Sequence, residues 1–414
     1  MLKLLATRRF GPLFAVQFLG AFNDNLFRTA LVFLVAFDVA AADARQAAML
    51  ATLASGLFIL PFFLFSGIAG SAADARDKAG IARAVKLAEI AFMALGWSAF
   101  ALQSLNLALA VVFLMGCHST LFGPVKYAIL PQHLREDELL DGTGWVEGAT
   151  FVAILLGQVA GGLLATALVG PVALALAVVG WAASRLIPPA PPEPGRHIDW
   201  NPISSGRAAL GNAFANRRML VATLAISWFW ALGAVYTSQF VPLARNDMGG
   251  SEGVATLFLA AFSIGIAAGS VAVGRWLQGR ITTRLCAPAG VVMALAGLDL
   301  WFAIRGVGTA PKDVASFFAV AAGWRVLADL TLLALAGGVF SVPLYAVLQT
   351  AGEPASRASA IAANNIINSL FQVAAVIGAG AAVSGGLGVP LVLVIAGLTV
   401  LPLLPALAAR RQPA

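Results

Sequence analysis

Apolar residues run along this chain in long segments, interrupted by short polar stretches and by Gly or Pro. Twelve segments match the length of about 20 apolar residues that a helix needs to cross a bilayer. Such unbroken runs exclude a membrane β-barrel, whose strands alternate polar and apolar positions. Gly170-Pro171 is expected to separate the fifth span from the sixth. The predicted spans are 12–37, 47–70, 80–103, 106–125, 142–168, 171–187, 219–243, 253–277, 284–304, 326–348, 357–384 and 387–408.

One long polar interruption, 188–218, lies between the sixth and seventh spans and begins PPAPPEPG. It divides the chain into an N-terminal six-helix bundle (1–187), a cytoplasmic linker (188–218) and a C-terminal six-helix bundle (219–414). Two such bundles related by an axis along the membrane normal are typical of one class of transporter. Glycines in GQVAGG of span five and Gly378 and Gly380 of span eleven are expected to mark matching close helix crossings. The pattern predicts an all-α integral membrane protein.

Composition agrees with this interpretation, because 60% of residues are hydrophobic and 11% are charged, against about 25% charged in soluble domains. The net charge of +7 could indicate a nucleic-acid partner, so the positions of the basic residues relative to the membrane have to decide. With the N-terminus inside, nineteen fall on the inner side and only five on the outer. This bias predicts a multi-pass membrane protein with both termini in the cytoplasm and no nucleic-acid partner. Cys117 and Cys286 fall inside spans, so no disulfide framework is expected, and no metal or cofactor is predicted.

A charged motif, GSAADARDK, follows the second span and carries Gly70, Asp74, Arg76 and Lys78. It resembles the loop motif between helices two and three of the major facilitator superfamily, where an acid and basic partners lock the cytoplasmic side. The resemblance implies that Asp74 and Lys78 hold those roles. An ordinary charged loop is the alternative.

The first span contains AFNDNLFRTA, which places Asn23, Asp24, Asn25 and Arg28 inside an apolar helix. Polar residues within a span are costly and are functional candidates by default. Asp24 and Arg28 are four residues apart, a spacing that allows them to neutralise each other. The three consecutive polar residues, however, spread over about 200° of the helix. We therefore expect a hydrated cavity beside this helix.

Two further spans carry ionisable residues near the inner side. Lys86 and Glu89 in span three are either a structural pair or part of a cytoplasmic gate, and Lys86 is expected to reach the interface by snorkelling. Pro124 is expected to break span four just before Lys126. That lysine is then either a positive-inside anchor or a cation at the inner mouth of a cavity.

The remaining polar candidates lie in spans five, seven and eleven. Glu147 should face the bundle interior, because exposure to lipid is prohibitive. Interhelical hydrogen bonding is the alternative role of the span-eleven amides, and His118 is interpreted as a buried structural histidine. The candidate lining residues here are Glu147, Tyr236, Gln239, Asn364, Asn365 and Asn368.

Several longer motifs carry a resemblance over nearly the whole chain. QFLGAFNDNLF, FGPVKYAILP and EGATFVAILLGQVAGG in the first half look like the bacterial lysophospholipid transporter family. ISWFWALGAVYTSQF, FSIGIAAGS, VPLYAVLQ and IAANNIINSLF are similar to the transporter domain of fusion proteins that also carry acyltransferase and acyl-ligase domains.

The resemblance implies uptake of lysophospholipid, chiefly lysophosphatidylethanolamine, from the outer to the inner leaflet of the bacterial inner membrane, followed by reacylation by an acyltransferase or acyl-ligase. Proteins of the major facilitator fold are usually monomers, so a monomer is expected. It places the family's cavity charges on Asp24 and Lys126 and its intramembrane acid on Glu147. Some family members have arginine where this chain has Gln239. That departure puts the preference for headgroup charge in question.

Elementary chemistry supports such a cargo. A zwitterionic headgroup needs an anion for its ammonium and a cation for its phosphate, and rocking of two bundles with lateral access for the acyl tail is the expected mechanism. A proton-coupled drug or metabolite exporter of the same superfamily is the alternative function, because GQVAGG also resembles an antiporter motif. An acyltransferase is disfavoured, because no His in the chain is followed by Asp five positions on. We therefore expect a transporter, not an enzyme.

Overall fold

The computed structural model describes residues 2–34 and 44–409, and within them it contains long helices joined by short loops. Arg410 and Arg411 lie outside this part of the chain, and the side chain of Arg45 is not described. We number the long helices α1 to α12: Gly11–Leu34, Ala44–Ala75, Lys78–Ala101, Leu105–Ala128, Glu136–Leu163, Thr166–Ser184, Arg217–Pro242, Glu252–Trp276, Cys286–Val307, Ala321–Thr350, Arg357–Ser384 and Val389–Leu398.

Eleven helical segments of the described chain are long and apolar enough to cross a membrane. Helix α1 is not among them, although it has 24 residues, and its middle carries the four polar residues named above. The described residues thus form a multi-pass membrane protein built around these twelve helices. The prediction of an all-α membrane fold is confirmed.

Two predicted helix boundaries were wrong. The break between α5 and α6 falls at Leu164 and Ala165, and Pro171 lies inside α6. Likewise α4 continues past Pro124 to Ala128. Proline is tolerated inside a membrane helix where neighbouring helices and side chains satisfy the freed backbone groups.

The two halves meet along two symmetric pairs of helices, α5 with α8 and α2 with α11. One end of the bundle, which we call the terminal face, brings together the start of α1, the α2–α3 loop and the end of α6. Arg9 there is bonded to Glu138 at 2.6 Å, and Lys78 N–H donates to the Ala190 carbonyl at 3.0 Å. The other end is the opposite face.

The segment between the halves contains a helix that the sequence analysis did not predict, Pro202–Ala215. Asn201 caps it by accepting hydrogen bonds from the Ile203 and Ser204 amides. This linker helix packs against both α2 and α11, one from each half.

The expected match between span-five and span-eleven glycines is not found. Gly157 and Gly161 lie so close to α1 that a Cβ at either would overlap a backbone carbonyl oxygen, of Phe22 or Leu26. Gly378 and Gly380, in contrast, have open space where a Cβ would be. Only the first half uses these glycines for a close crossing.

Candidate functional site

A cavity of about 1220 Å³ lies between the two halves. Its lining extends from Val32 and Glu252, near the opposite face, down to Gln17, Lys126 and Tyr345 at its deep end. The cavity therefore opens toward the opposite face. Its volume exceeds the roughly 300–1,000 Å³ of typical small-molecule pockets.

Asp24 lies at the wall of this cavity and is 8% exposed. The Ser119 hydroxyl donates a hydrogen bond to Asp24 Oδ2 at 2.5 Å. Arg28 also lines the cavity, but its guanidinium lies over the Phe58 ring, 4.4 Å from the centroid. Within the described chain, no cationic nitrogen forms an ion pair within 4 Å of the Asp24 carboxylate. The carboxylate is thus not neutralised by its neighbour four residues on.

Lys126 approaches the same space from α4, and its side chain is half-buried. Its ammonium lies 4.9 Å from the centroid of the Tyr127 ring. It interacts electrostatically with both Asp24 and Glu147, although neither acid is close enough for an ion pair. The cavity thus holds separated positive and negative groups.

Amide side chains supply the other polar groups of the wall. Asn25, Asn365 and Asn368 line the cavity. Asn368 Oδ1 accepts a hydrogen bond from the Ser227 hydroxyl at 2.6 Å. These positions offer hydrogen bonds without net charge.

Asn23 does not line the cavity, because it lies on another face of α1. Its amide donates to Glu89 Oε1 at 3.0 Å and to the Ala173 carbonyl at 3.2 Å inside the first half. One helical residue corresponds to about 100° of rotation. Neighbours in sequence therefore point to different environments.

Three predicted lining residues in the second half also lie outside the cavity wall. Tyr236 is fully buried and donates to the Leu393 carbonyl at 3.2 Å. Gln239 contacts the Ser238 hydroxyl at 3.3 Å. Asn364 is buried behind Asn365. None of the three lines the cavity in this conformation.

Glu147 is fully buried and is separated from the cavity. Thr150 and Phe151, one turn further along α5, form the wall at this level. Within the described chain neither carboxylate oxygen of Glu147 has a hydrogen-bond partner. The prediction that Glu147 faces the bundle interior fits this placement, whereas a place in the open cavity does not.

Lys86 and Glu89 do not contribute to a gate between the halves. Their side chains are 1% and 4% exposed and form an ion pair at 2.6 Å inside the first half. His118 Nε2 lies 3.2 Å from the same carboxylate. The expectation that Lys86 reaches the membrane interface was wrong, because its ammonium is paired with Glu89 in the interior of the first helix bundle.

Asp74 joins the two halves at the terminal face. Its carboxylate accepts hydrogen bonds from the Ala358 and Ser359 amides, each at 2.9 Å, and from the Ser359 hydroxyl at 2.6 Å. These amides begin α11, where a helix favours negative charge. Gly70 lies so near α11 that a Cβ there would crowd the Ala362 side chain. This crossing holds α2 against α11.

The basic residues of the same loop are placed differently from one another. Lys78 is buried near Asp74 and interacts with it electrostatically, without an ion pair within 4 Å in the described chain. Arg76 is exposed. Only Lys78 therefore lies close to the contact between the halves.

A scan against protein-family models matches the Major Facilitator Superfamily over residues 13–327. The chain belongs to the Major Facilitator Superfamily. Curated relatives within this superfamily share about a quarter of their residues with the chain. The lysophospholipid transporter LplT of Escherichia fergusonii is 28% identical over 362 residues, covering 84% of this chain and 82% of that protein. The protein of the same name from Citrobacter koseri is 29% identical over 366 residues, covering 85% and 83%.

Solved structures of the superfamily share the fold across the whole chain. The human organic anion transporter MFSD10 (TETRAN) superposes with a TM-score of 0.77 at 16% identity, covering 97% of this chain and 99% of that one. The transporter FucP in its outward conformation gives 0.72 at 14% identity, covering 98% and 99%. The predicted major facilitator fold is confirmed.

Sequence analysis did not identify the aromatic contacts that cross between the halves in this superfamily fold. Tyr127 and Tyr345 stack with ring centroids 4.5 Å apart, and Phe151 stacks on Trp230 at 5.4 Å. Trp230 also donates to the Tyr345 hydroxyl at 2.7 Å. A signal was present, because the chain has only three tyrosines and two of them form this stack.

Proposed function

We propose that this chain is a lysophospholipid transporter that moves chiefly lysophosphatidylethanolamine from the outer to the inner leaflet of the bacterial inner membrane. The observation that carries the proposal is the arrangement of cavity charges. Asp24 lines the cavity and forms no ion pair with Arg28, while Lys126 lies deeper in the same space. The names of the curated relatives support a lysophospholipid as the cargo, without specifying its headgroup.

The headgroup chemistry follows from these charges. Asp24 accepts the ammonium group of the cargo, and Lys126 together with Arg28 binds its phosphate. Charge-assisted hydrogen bonds of this kind are roughly twice as strong as neutral ones. The amides of Asn25, Asn365 and Asn368 add neutral hydrogen bonds.

The acyl tail leaves the cavity sideways, between α2 and α11. Val373, Val376 and Ile377 of α11 line the cavity and are also exposed on the protein surface, with Ile377 65% exposed. The open space beside Gly378 and Gly380 continues this side of the molecule. An apolar chain passing here stays in contact with lipid while the headgroup stays in water.

Transport proceeds by rocking of the two halves about the cavity. The positive-inside bias assigns the terminal face to the cytoplasm, so the cavity opens outward. Gly70, Asp74 and Lys78 form the cytoplasmic gate, and breaking the Asp74 contact to α11 opens it. The chain acts as a monomer, and a separate acyltransferase or acyl-ligase restores the second chain of the cargo.

Replacement of Asp24 tests this proposal. Asp24→Ala is expected to abolish uptake of labelled lysophosphatidylethanolamine into spheroplasts, because the cargo ammonium loses its counter-ion. Asp299→Ala is the matched control, since Asp299 is also an acid within a span but is paired with Arg325 away from the cavity. Normal uptake by Asp24→Ala would discard the assignment. Drug efflux without competition by lysolipid would favour the exporter instead.

A further inference from the structure

Glu147 is an intramembrane acid for which the open cavity provides no role. It is fully buried, and both carboxylate oxygens lack hydrogen-bond partners within the described residues. Leaving a buried charge or polar group unpaired is costly. Glu89, a buried acid with a structural role, differs from Glu147 because its carboxylate accepts hydrogen bonds from Lys86 and Asn23.

Glu147 lies between two layers of contact that join the halves. On the cavity side is the stack of Tyr127 on Tyr345. On the terminal side, one turn along α5, the Thr143 hydroxyl accepts a hydrogen bond from Gln349 Nε2 at 3.0 Å. One helical turn is about 5.4 Å. Glu147 thus lies enclosed between these two contacts, just beyond the deep end of the cavity and toward the terminal face; we call this region the compartment.

The compartment repeats the chemistry of the cavity above it. Lys126 interacts electrostatically with both Asp24 and Glu147. Asn364 lies beside the Tyr345 hydroxyl, and the Tyr127 hydroxyl has no hydrogen-bond partner among the described residues. An acid, a nearby cation, an amide side chain and an unpartnered hydroxyl therefore lie together where this conformation admits no cargo.

We propose that Glu147 is a second binding station for the ammonium group of the cargo, used when the terminal face opens. The inference rests on the proposed function. The headgroup first binds Asp24 and Lys126 in the outward cavity. As the tyrosine stack and the Thr143–Gln349 contact separate, the phosphate stays on Lys126 while the ammonium passes from Asp24 to Glu147. The orphaned polar atoms acquire partners in that second state.

Thiol accessibility tests the compartment without any cargo. We consider Glu147→Cys in a background with Cys117→Ser and Cys286→Ser, treated with a membrane-impermeant thiol reagent. The Cys is expected to be protected from the opposite face and to react from the terminal face, faster when Asp74→Ala weakens the gate. Thr150→Cys is the control, reacting from the opposite face. Lack of reaction of Glu147→Cys from the terminal face, with and without Asp74→Ala, would overturn the proposal.

Separating binding from translocation tests the station itself. Glu147→Gln keeps the shape of the side chain but removes its charge, so outward binding of lysophosphatidylethanolamine should be retained. Translocation in proteoliposomes should fall about 10–100-fold, the effect of losing one charge-assisted interaction of about 1.5–3 kcal/mol. Asp24→Asn is the contrast, because it should lose binding. The melting temperature of Glu147→Gln should match that of the parent.

Three results would contradict the second station. Glu147→Gln could translocate at the parent rate, or lose binding as Asp24→Asn does, which would place Glu147 in the first site. Retained translocation with loss of its pH dependence would make Glu147 a proton carrier. Failure of the parent protein to translocate lysophosphatidylethanolamine is a different outcome. It overturns the proposed function, and the accessibility of Glu147→Cys then still reports on the compartment.

Discussion

The two halves of the molecule form one cavity but contribute different chemistry to it. The first half supplies Asp24, Arg28, His118 and Lys126. The second half supplies aromatic, aliphatic and amide side chains, and its only charged lining residue in the described chain is Glu252 near the mouth. A backbone with approximate two-fold symmetry therefore carries an asymmetric site. We interpret the first half as the part that binds the charged headgroup and the second half as the part that contacts the acyl tail.

The first half itself separates two uses of buried charge. Lys86 and Glu89 neutralise each other and are supported by Asn23 and His118, so they hold α1, α3 and α4 together. Asp24 is held by one hydroxyl and faces the cavity. Adjacent residues on one helix thus face different environments, Asn23 the buried ion pair and Asp24 the cavity.

Breaking the buried pair should have the largest effect. Lys86→Met leaves Glu89 without its cation, and removal of one partner of a buried pair costs about 3–5 kcal/mol. We expect a strong loss of folded protein, measured by thermal unfolding in detergent. Lys86→Met combined with Glu89→Gln should recover most of it, because no uncompensated charge remains. An unchanged unfolding temperature for Lys86→Met would show that the pair contributes little.

Removing the deep cation should act on binding. Lys126→Ala deletes a phosphate partner, and a hydrogen bond to a charged group contributes about 1.5–3 kcal/mol, so the Kd for lysophosphatidylethanolamine should rise about 10–100-fold. Isothermal titration of purified protein measures it. Lys126→Arg, which keeps the charge, should bind much nearer to the parent. If Lys126→Ala binds lysophosphatidylethanolamine with the same affinity as the parent protein, Lys126 does not bind the phosphate.

Much of the fold could be predicted from the hydrophobic pattern, because a spanning helix requires a long apolar segment. The ends of the helices were harder to predict. No ionisable residue marks the boundary between α5 and α6, and Gly170-Pro171 was a plausible but incorrect choice. The linker helix was missed because its 14 residues are too few to cross a bilayer and include two glycines, which disfavour a helix.

The sequence indicated which residues are candidates for the site, but not which of their side chains face the cavity. Asp24 and Glu89 look alike in the sequence, each an acid in an apolar segment with a cation three or four positions away. Which acid faces the cavity depends on how each helix is rotated against its neighbours. That rotation is set by long-range packing, such as Gly157 against α1 and Tyr127 on Tyr345.

The contact between the halves at the terminal face offers a smaller and more specific test. Asp74→Ala removes a carboxylate that caps α11, a kind of contact that contributes about 0.5–2 kcal/mol, so the equilibrium should shift about 2–30-fold toward opening of this face. Spin labels at cysteines replacing Glu136 and Arg280, one exposed residue in each half, report the distance by pulsed electron paramagnetic resonance. Ser359→Ala, which keeps the backbone donors, should shift it less. Identical distance distributions would exclude a gating role.

The smallest effect is expected where the second half meets the cargo. Gln372 lines the cavity, and its amide contacts only the Asn368 carbonyl of its own helix at 3.3 Å among the described residues. Gln372→Ala removes a neutral hydrogen-bonding group worth about 0.5–1.5 kcal/mol, so the Kd should change about 2–10-fold, less than for Lys126→Ala. The same titration compares the two variants directly. If Gln372→Ala costs as much affinity as Lys126→Ala, headgroup recognition is shared between the halves, and the division of labour drawn from the cavity charges is wrong.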